Sequence, residues 1–451
     1  MPERPFDLTI TEAAAAIAEG KLTPLKLTES CLERIDDVDG EIKAWVQLDR
    51  EGALEQARRL DRELSDGKSR GPLHGIPVGI KDIFYVAGLR NEAGSRLWKG
   101  FVPAYDATVV TRLKEAGAVI MGKTHTTEFA FFDPAPTGNP WNTAHTPGGS
   151  SSGSAAAVSA GMCLAALGSQ TMGSVLRPAA YNGIVGFKPQ HGRFSTYGVV
   201  PLSWTLDHAG ILARSVEDTA LIFTAIAGHD PADYRTLDQP VPVIPKPLAD
   251  RKAPRIGLVR EYYYENADEE MRRHTDEIVE RLRQAGAEIS EISLPPGFAE
   301  IQPNGRIILS VEGYAYHKEM IDRHRDSYRP GIRELLDGGA TVSAVDYANA
   351  LQKRLGHLAD IRTLFHQVDT LLTPGAPGAA PHGLSATGSP VMQAPWTIVE
   401  IPSISLPTGL NRDGLPLAIQ LAGPAGEEAD LLSISAWCER ALAVRLRPPL
   451  N

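Results

Sequence analysis

Cysteine is nearly missing: Cys31, Cys163 and Cys438 are the three in 451 residues. An odd count without a CxxC pair supplies neither a disulfide framework nor a zinc ligand set, and suits a reducing compartment. Basic residues are outnumbered, 45 against 55 acidic, for a net charge of −10. With no basic run anywhere, that balance predicts no nucleic-acid partner and no anionic membrane surface. No long apolar run occurs; the small-residue stretch 155–168 is too short and too rich in glycine and serine to span a bilayer. The first twenty residues carry early acids and no signal-peptide core. The expectation is a soluble, cytoplasmic protein. The twelve histidines show no HExxH and no other metal-ligand spacing.

What is present is ordinary globular composition, 43% hydrophobic and 22% charged. A chain this long can bury about three quarters of its unfolded surface, so it needs neither disulfide nor metal for stability. Length alone suggests about three domains or one large one. Helix signals dominate residues 8–67: one helix opens at Thr11-Glu12 and closes at Gly20, Thr23-Pro24 reads as an N-cap with proline at the first helical position, and 51–66 is amphipathic. Short apolar runs at 76–80, 119–121, 256–259, 288–292, 371–372, 404–406 and 417–421 read as strands. Helices are expected at 106–115, 269–284, across 306–366, and from Glu427 to the end. Residues 133–154 and 374–396 are Gly/Pro/Ser-rich loops, and 230–254 is a proline-rich surface excursion. Strands and helices mixed throughout predict an α/β fold with helices flanking a sheet.

Two motifs match in letters and fail in context. Gly117 to Thr124 fits GxxxxGK[ST], but a helix precedes the first glycine and the strand lies between the glycines, the reverse of a phosphate-binding loop. Gly149-Ser150-Ser151-Ser152-Gly153 fits GxSxG, but a proline-containing loop leads into it where a nucleophile elbow needs a strand. His208 beside Asp207 invites a catalytic reading; adjacent residues rarely share a face, so a structural role is expected.

Three segments carry chemistry. Lys81 ends the apolar run Gly75-Ile76-Pro77-Val78-Gly79-Ile80, and burial there would favour its neutral, basic form. Ser150 opens the serine run after Gly148-Gly149, ahead of an alanine-rich helix, so the run reads as a tight turn into a helix N-terminus. Ser174 follows Gly173, and the N–H groups from Thr171 to Ser174 could form an oxyanion hole. Taken singly, each reads more simply as a surface lysine, a linker or a turn.

Together the segments resemble the amidase signature family, over most of the chain: residues 128–178 with Asn139-Pro140-Trp141, then 75–82, and Pro402 to Pro407 with Gly414-Leu415-Pro416. The resemblance implies a single large domain, 1–451, with a central mixed β-sheet flanked by helices. It divides into N-terminal helices (8–67), a signature core (70–228), a variable helical region (230–370) and a core-completing segment (371–451). It implies a Ser–cis-Ser–Lys triad: Lys81 as base, Ser150 after a cis peptide as the bridge, Ser174 as nucleophile and site of an acyl-enzyme. The oxyanion hole would be Thr171, Met172, Gly173 and Ser174, with Ser151, Ser152 and Ser154 orienting the network. No metal or organic cofactor is implied.

Met172 departs from the two glycines usual before the nucleophile and is expected to line or narrow the acyl pocket. Arg177 has two readings, a structural ion pair or, as in malonamidase-like members, a binder of the substrate's carboxylate. Phe131, with Phe129, Phe132, Tyr314 and Tyr316, is a candidate apolar wall, and core packing explains these five equally well. The expectation drawn is a free-standing hydrolase of small-molecule carboxamides, extending to aryl esters or carbamates (urethanes), acting without nucleic acid or membrane; a homodimer is compatible with it. The alternatives are the glutamine-hydrolysing subunit of a tRNA-dependent amidotransferase, against which the TMGSVLRP segment counts because that subfamily usually has DTGGSIR, and a catalytically silent scaffold.

Overall fold

The strands form wherever short apolar runs can be covered on both faces. The computed structural model describes residues 4–450, and its strands are β1 (Trp45–Leu48), β2 (Pro77–Lys81), β3 (Val119–Thr124), β4 (Ala165–Gln170), β5 (Val185–Lys188), β6 (His208–Ala213), β7 (Arg255–Leu258), β8 (Glu288–Glu291), β9 (Thr370–Pro374), β10 (Ser403–Leu410) and β11 (Pro416–Ala422). They make one sheet in the order β1-β3-β2-β4-β6-β5-β10-β11-β9-β7-β8. β2 is parallel to both β3 and β4, β7 is parallel to both β8 and β9, and the remaining pairs are antiparallel. Every residue of β2, β3, β4, β6, β9 and β11 is buried. That is the signature of strands with helices on both sides, and it explains why they show no apolar–polar alternation. Edge strand β8 is mostly exposed.

Capping chemistry sets the helix ends. Helix Pro24–Ile42 begins with the Thr23 hydroxyl accepting from Lys26 N–H and proline in its first turn, as expected. The first long helix, Ile10–Ala18, starts earlier than expected, because Thr9 and Glu12 form a reciprocal capping box. Helix Glu269–Gln284 has the expected bounds. Residues 301–364 fold as three helices, Ile301–His324, Pro330–Thr341 and Ala344–Leu364.

The local sequence hid the elements closest to the centre. Strands β1, β4, β5 and β6 and helices Ser152–Ser159 and Leu176–Asn182 carry small, hydroxylic or mixed residues. Both of those helices are buried along their whole length, so they lack the polar stripe by which helices are recognised. The two loops end in helices, the first at Ser152 and the second at Ala394–Ile398. The GxxxxGK[ST] match is a helix–turn–strand: helix Thr108–Glu115, Gly117 at φ +90°, then β3. Its Lys123 is buried, pairing with Asp82 at 3.0 Å and donating to Asn91 Oδ1 at 2.7 Å. Among the described residues, no helix is long and apolar enough to cross a membrane.

Candidate active site

Sheet register brings the three segments to one end of the sheet. β2 and β4 run side by side with Ile80 opposite Leu167, so Lys81 leaves β2 next to the end of β4. β4 then turns at Thr171 into the helix beginning at Leu176, and Ser174 lies on that turn. The serine run meets this turn from above: Ser151 N–H donates to the Ser174 carbonyl at 3.3 Å. Helix Ser152–Ser159 carries the run away between β4 and the Leu176–Asn182 helix.

Lys81 is fully buried, and its Nζ donates to Ser150 Oγ and to Ser169 Oγ, both at 2.7 Å. Among the described residues, no carboxylate forms an ion pair with it. Burial holds this amine well below its ordinary value; the charge of Asp207 pulls it up and that of Arg177 pushes it further down. The bond between Gly149 and Ser150 is cis. Gly148 sits at φ +78° with a would-be Cβ 2.9 Å from Pro178 Cα, and a Cβ on Gly149 would come within 2.7 Å of Thr387. The glycine pair is therefore required by close packing against the Leu176 helix and the 374–396 loop.

Ser174 is 8% exposed and lies with Ser150 in one small cleft that Thr171, Met172, Gly173 and Arg177 also line. Ala130, Phe131, Phe132, Leu202, Leu309 and Pro390 complete the wall. Among the described residues, the N–H groups of Met172, Gly173 and Ser174 have no acceptor. Three unsatisfied donors on a turn beside a hydroxyl can hold an anionic oxygen. Met172 lines the cleft with its side chain, while its carbonyl lies 2.8 Å from the Thr397 hydroxyl. A wider cleft of about 640 Å³ opens beyond it, sharing Phe131, Phe132, Met172, Leu309 and Pro390. Phe129, Tyr314 and Tyr316 line neither space. Phe129 packs edge-on against Trp98 and His317, and Tyr316 against His317. For these three, core packing is the answer.

Among the described residues, Arg177 is neither in an ion pair nor in contact with any carboxylate. Its Nη2 donates to Gly149 O at 2.5 Å and Thr387 Oγ1 at 3.2 Å, while Nε and Nη1 have no partner. Burial lowers it to about 10. The remaining serines brace the scaffold: Ser151 Oγ accepts from Ser169 N–H (3.2 Å), Ser152 Oγ donates to Gly148 O (2.7 Å), and Ser154 Oγ donates to Leu167 O (2.9 Å).

Sequence reasoning missed four participants. Ser169 shares Lys81 with Ser150. Gln170 caps the Ser174 helix, its Oε1 accepting from Val175 and Leu176 N–H at 2.9 and 3.0 Å, while its Nε2 donates to Thr397 at 2.9 Å. Thr397 comes from a segment more than two hundred residues away. Asp207 accepts from the Thr171 hydroxyl at 2.6 Å. Treating 165–170 as a strand beside 77–81 would have found the first two; nothing local points to Thr397. His208 has the structural role expected, donating from Nδ1 to Leu206 O at 2.7 Å and packing edge-on against His191.

The Amidase family model matches residues 26–432. The chain belongs to the amidase signature family. A glutamyl-tRNA(Gln) amidotransferase subunit from Chloroflexus aggregans (strain MD-66 / DSM 9485) is 36% identical over 478 residues, covering 98% of each chain. Among solved structures, a chain of a vestigial protein complex described as revealing the origins of an s-triazine catabolic enzyme superposes with TM-score 0.92 at 28% identity, covering 98% of this chain and 100% of that one. The peptide amidase PAM, solved with the competitive inhibitor chymostatin, superposes with TM-score 0.87 at 32% identity, covering 98% and 99%. An amide-hydrolysing enzyme on a single domain with a large mixed sheet follows for this amidase signature chain.

These likenesses correct two expectations. The free-standing hydrolase of small-molecule amides and carbamates gives way to its stated alternative, because curated relatives 35–37% identical over nearly the whole chain are named as amidotransferase subunits. Two departures of the segment that counted against the alternative have a physical answer, while the arginine of DTGGSIR falls on Leu176, with Arg177 one residue later. Met172 in place of glycine leaves its N–H free to donate, and Gln170 in place of the subfamily's aspartate makes the helix-capping bonds with its amide oxygen. The expectation of small-molecule partners alone, without nucleic acid, falls with it, since those relatives are named for a tRNA substrate. Net charge over a whole chain bears on what its own surface attracts; it does not report on an assembly whose other members can carry the RNA.

Proposed function

We propose that this chain is the amide-hydrolysing subunit of a tRNA-dependent amidotransferase, releasing ammonia from the linear side-chain carboxamide of glutamine. The observation that carries the reading is alignment to a glutamyl-tRNA(Gln) amidotransferase chain over 98% of both sequences, joined to a buried amine–hydroxyl–hydroxyl cluster. In it, neutral Lys81 takes a proton from Ser150, Ser150 takes one from Ser174, and the Ser174 oxygen attacks the carboxamide carbon. The oxyanion is held by N–H groups of the Thr171–Ser174 turn. The proton returns along the same path to the departing nitrogen, which leaves as ammonia, and water then opens the acyl-enzyme. Arg177, with two free donors in a buried setting, supplies the charge for the substrate's carboxylate, while Met172 and Phe131 bound the acyl chain. A reaction on tRNA belongs in the cytoplasm, the compartment expected from the sequence.

The test is purification of the tagged full-length chain from its own host under mild conditions. The expected result is copurifying subunits, glutamine-dependent conversion of Glu-tRNA(Gln) to Gln-tRNA(Gln), and loss of that conversion with Ser174→Ala. A chain that purifies alone and supports no amidation in the presence of glutamine would overturn the proposal.

A further inference from the structure

The sheet places a carboxylate against the oxyanion turn that none of the roles above uses. β6 pairs antiparallel with β4, Gln170 opposite His208, so Asp207, one residue before β6, meets Thr171, one residue after β4. Both oxygens of that carboxylate accept hydrogen bonds. Oδ1 accepts from the Thr171 hydroxyl at 2.6 Å, and Oδ2 accepts from Leu202 and Ser203 N–H at 2.8 and 3.0 Å. Leu202 is itself part of the cleft wall. The neighbouring His208 points elsewhere, so Asp207 is not half of an imidazole–carboxylate pair.

Charge gives the same residue a second role. The charged groups facing Lys81 are Asp207 and Arg177, of opposite sign; the group facing Asp207 from the helix Ile301–His324 is Glu312, held by Ser203, Thr205 and Tyr347. The position that the subfamily fills with aspartate is neutral Gln170. Of the two cations in this cluster, Lys81, unlike a guanidinium, can shed its proton. We propose that Asp207 is a positioning residue for the reaction, fixing the Thr171–Ser174 turn through the Thr171 hydroxyl and supplying the carboxylate charge that faces Lys81. This rests on the reading of Ser174, Ser150 and Lys81 above. Burial and Glu312 both weaken the acidity of Asp207, raising it to about 6, so its charge is present at neutral pH.

The test needs no knowledge of the substrate. An alkyl fluorophosphonate phosphonylates an activated serine: the Ser174 oxygen–phosphorus bond forms, fluoride leaves, and the hydroxyl proton passes through Ser150 to Lys81. The labelling rate is measured against pH for the wild type, Asp207→Asn, Thr171→Val and Thr171→Ser, with Ser174→Ala as control. Labelling that persists in Ser174→Ala would refute the nucleophile assignment itself, separately from the role of Asp207.

Removing the carboxylate charge makes Lys81 easier to deprotonate, so the acid limb of the Asp207→Asn profile is expected at lower pH than in the wild type. Its plateau should fall roughly 10–100-fold from misplacement of the turn. Thr171→Val loses the tether and keeps the charge: its plateau falls by a similar factor with the limb unmoved, and Thr171→Ser restores it. A limb that stays in place in folded Asp207→Asn overturns the charge role. A Thr171→Val plateau equal to the wild type overturns the tether. Should Asp207→Asn fail to fold, the Val/Ser comparison at Thr171 and its limb still decide the positioning role.

Discussion

A fully buried lysine whose nearest partners are two hydroxyls, not carboxylates, is poised as a base. Acid protonates Lys81 and removes the acceptor that Ser150 and Ser174 need, so amide hydrolysis should decline on the acid side and level off once the amine is neutral. A rate that is flat throughout the pH range where the protein stays folded would show that another group is the base. Replacing Ser174 by alanine should lower turnover by roughly 10⁴-fold or more, with an unchanged melting temperature and circular dichroism spectrum. Arg177 gives a sharper discrimination. Arg177→Met should raise KM for glutamine roughly 10–100-fold, as expected when a buried charge-assisted bond is lost, and leave an amide that lacks the carboxylate, such as glutamine methyl ester, near its wild-type KM. Equal losses on both substrates would mean the guanidinium only braces Gly149. At this scale the sequence was informative where a residue's role is written in its neighbours. Ser150 and Ser174 each follow a glycine that must pack closely, and Lys81 ends a short apolar run. Thr397 and Asp207 act through contacts made from other parts of the chain, and no local pattern announces them.

At the scale of elements, the helices behind the cleft are held at contact distances that tolerate no added atom. A Cβ on Gly339 would fall 1.9 Å from Ser310 O, whereas Gly338 beside it faces open space. Gly339→Ala should therefore destabilise by about 1–3 kcal/mol, and it should push helix Pro330–Thr341 off Ile301–His324, the helix that carries Leu309 of the cleft wall. Gly338→Ala should be neutral or gain up to about 1 kcal/mol from helix propensity. Chemical denaturation of the two variants checks both signs. Lys188 at the end of β5 provides a test by pH. It donates to Pro189 O and Ile401 O, and burial lowers it to about 7, with Glu400 and Glu428 opposing. The unfolded chain holds that proton up to about 10.4, so between these values the unfolded state binds more protons and this group's contribution to stability grows as pH rises. The stability of the wild type relative to Lys188→Met should accordingly improve between pH 7 and about 9. A constant difference would show that Lys188 titrates alike in both states. Amphipathic helices such as Glu269–Gln284 were legible because one face meets water. The Ser152–Ser159 helix, buried all round, offers no such contrast.

At the scale of the molecule, the sheet is continuous across the chain's length but not in its order. β5, near the middle of the sequence, pairs with β10, and β10 with β11, near its end. An α/β fold with helices on both faces was readable from alternating patterns; the strand order was not, because it depends on which buried edges meet after long connections. The assembly was the least legible feature. Whole-chain charge argued against an RNA-dependent system, yet curated relatives aligned over nearly the whole chain are named as parts of one.

That strand order also fixes when the protein can first work during its own synthesis. Thr397, which grips Gln170 and the Met172 carbonyl, and β10, which closes the sheet beside β5, are translated long after Ser174. A nascent chain carrying Lys81, Ser150 and Ser174 outside the ribosome would still have no fixed oxyanion turn. Amide hydrolysis would then be confined to chains in which these segments have emerged, and ribosome-bound fragments ending before residue 403 should be inert toward fluorophosphonate.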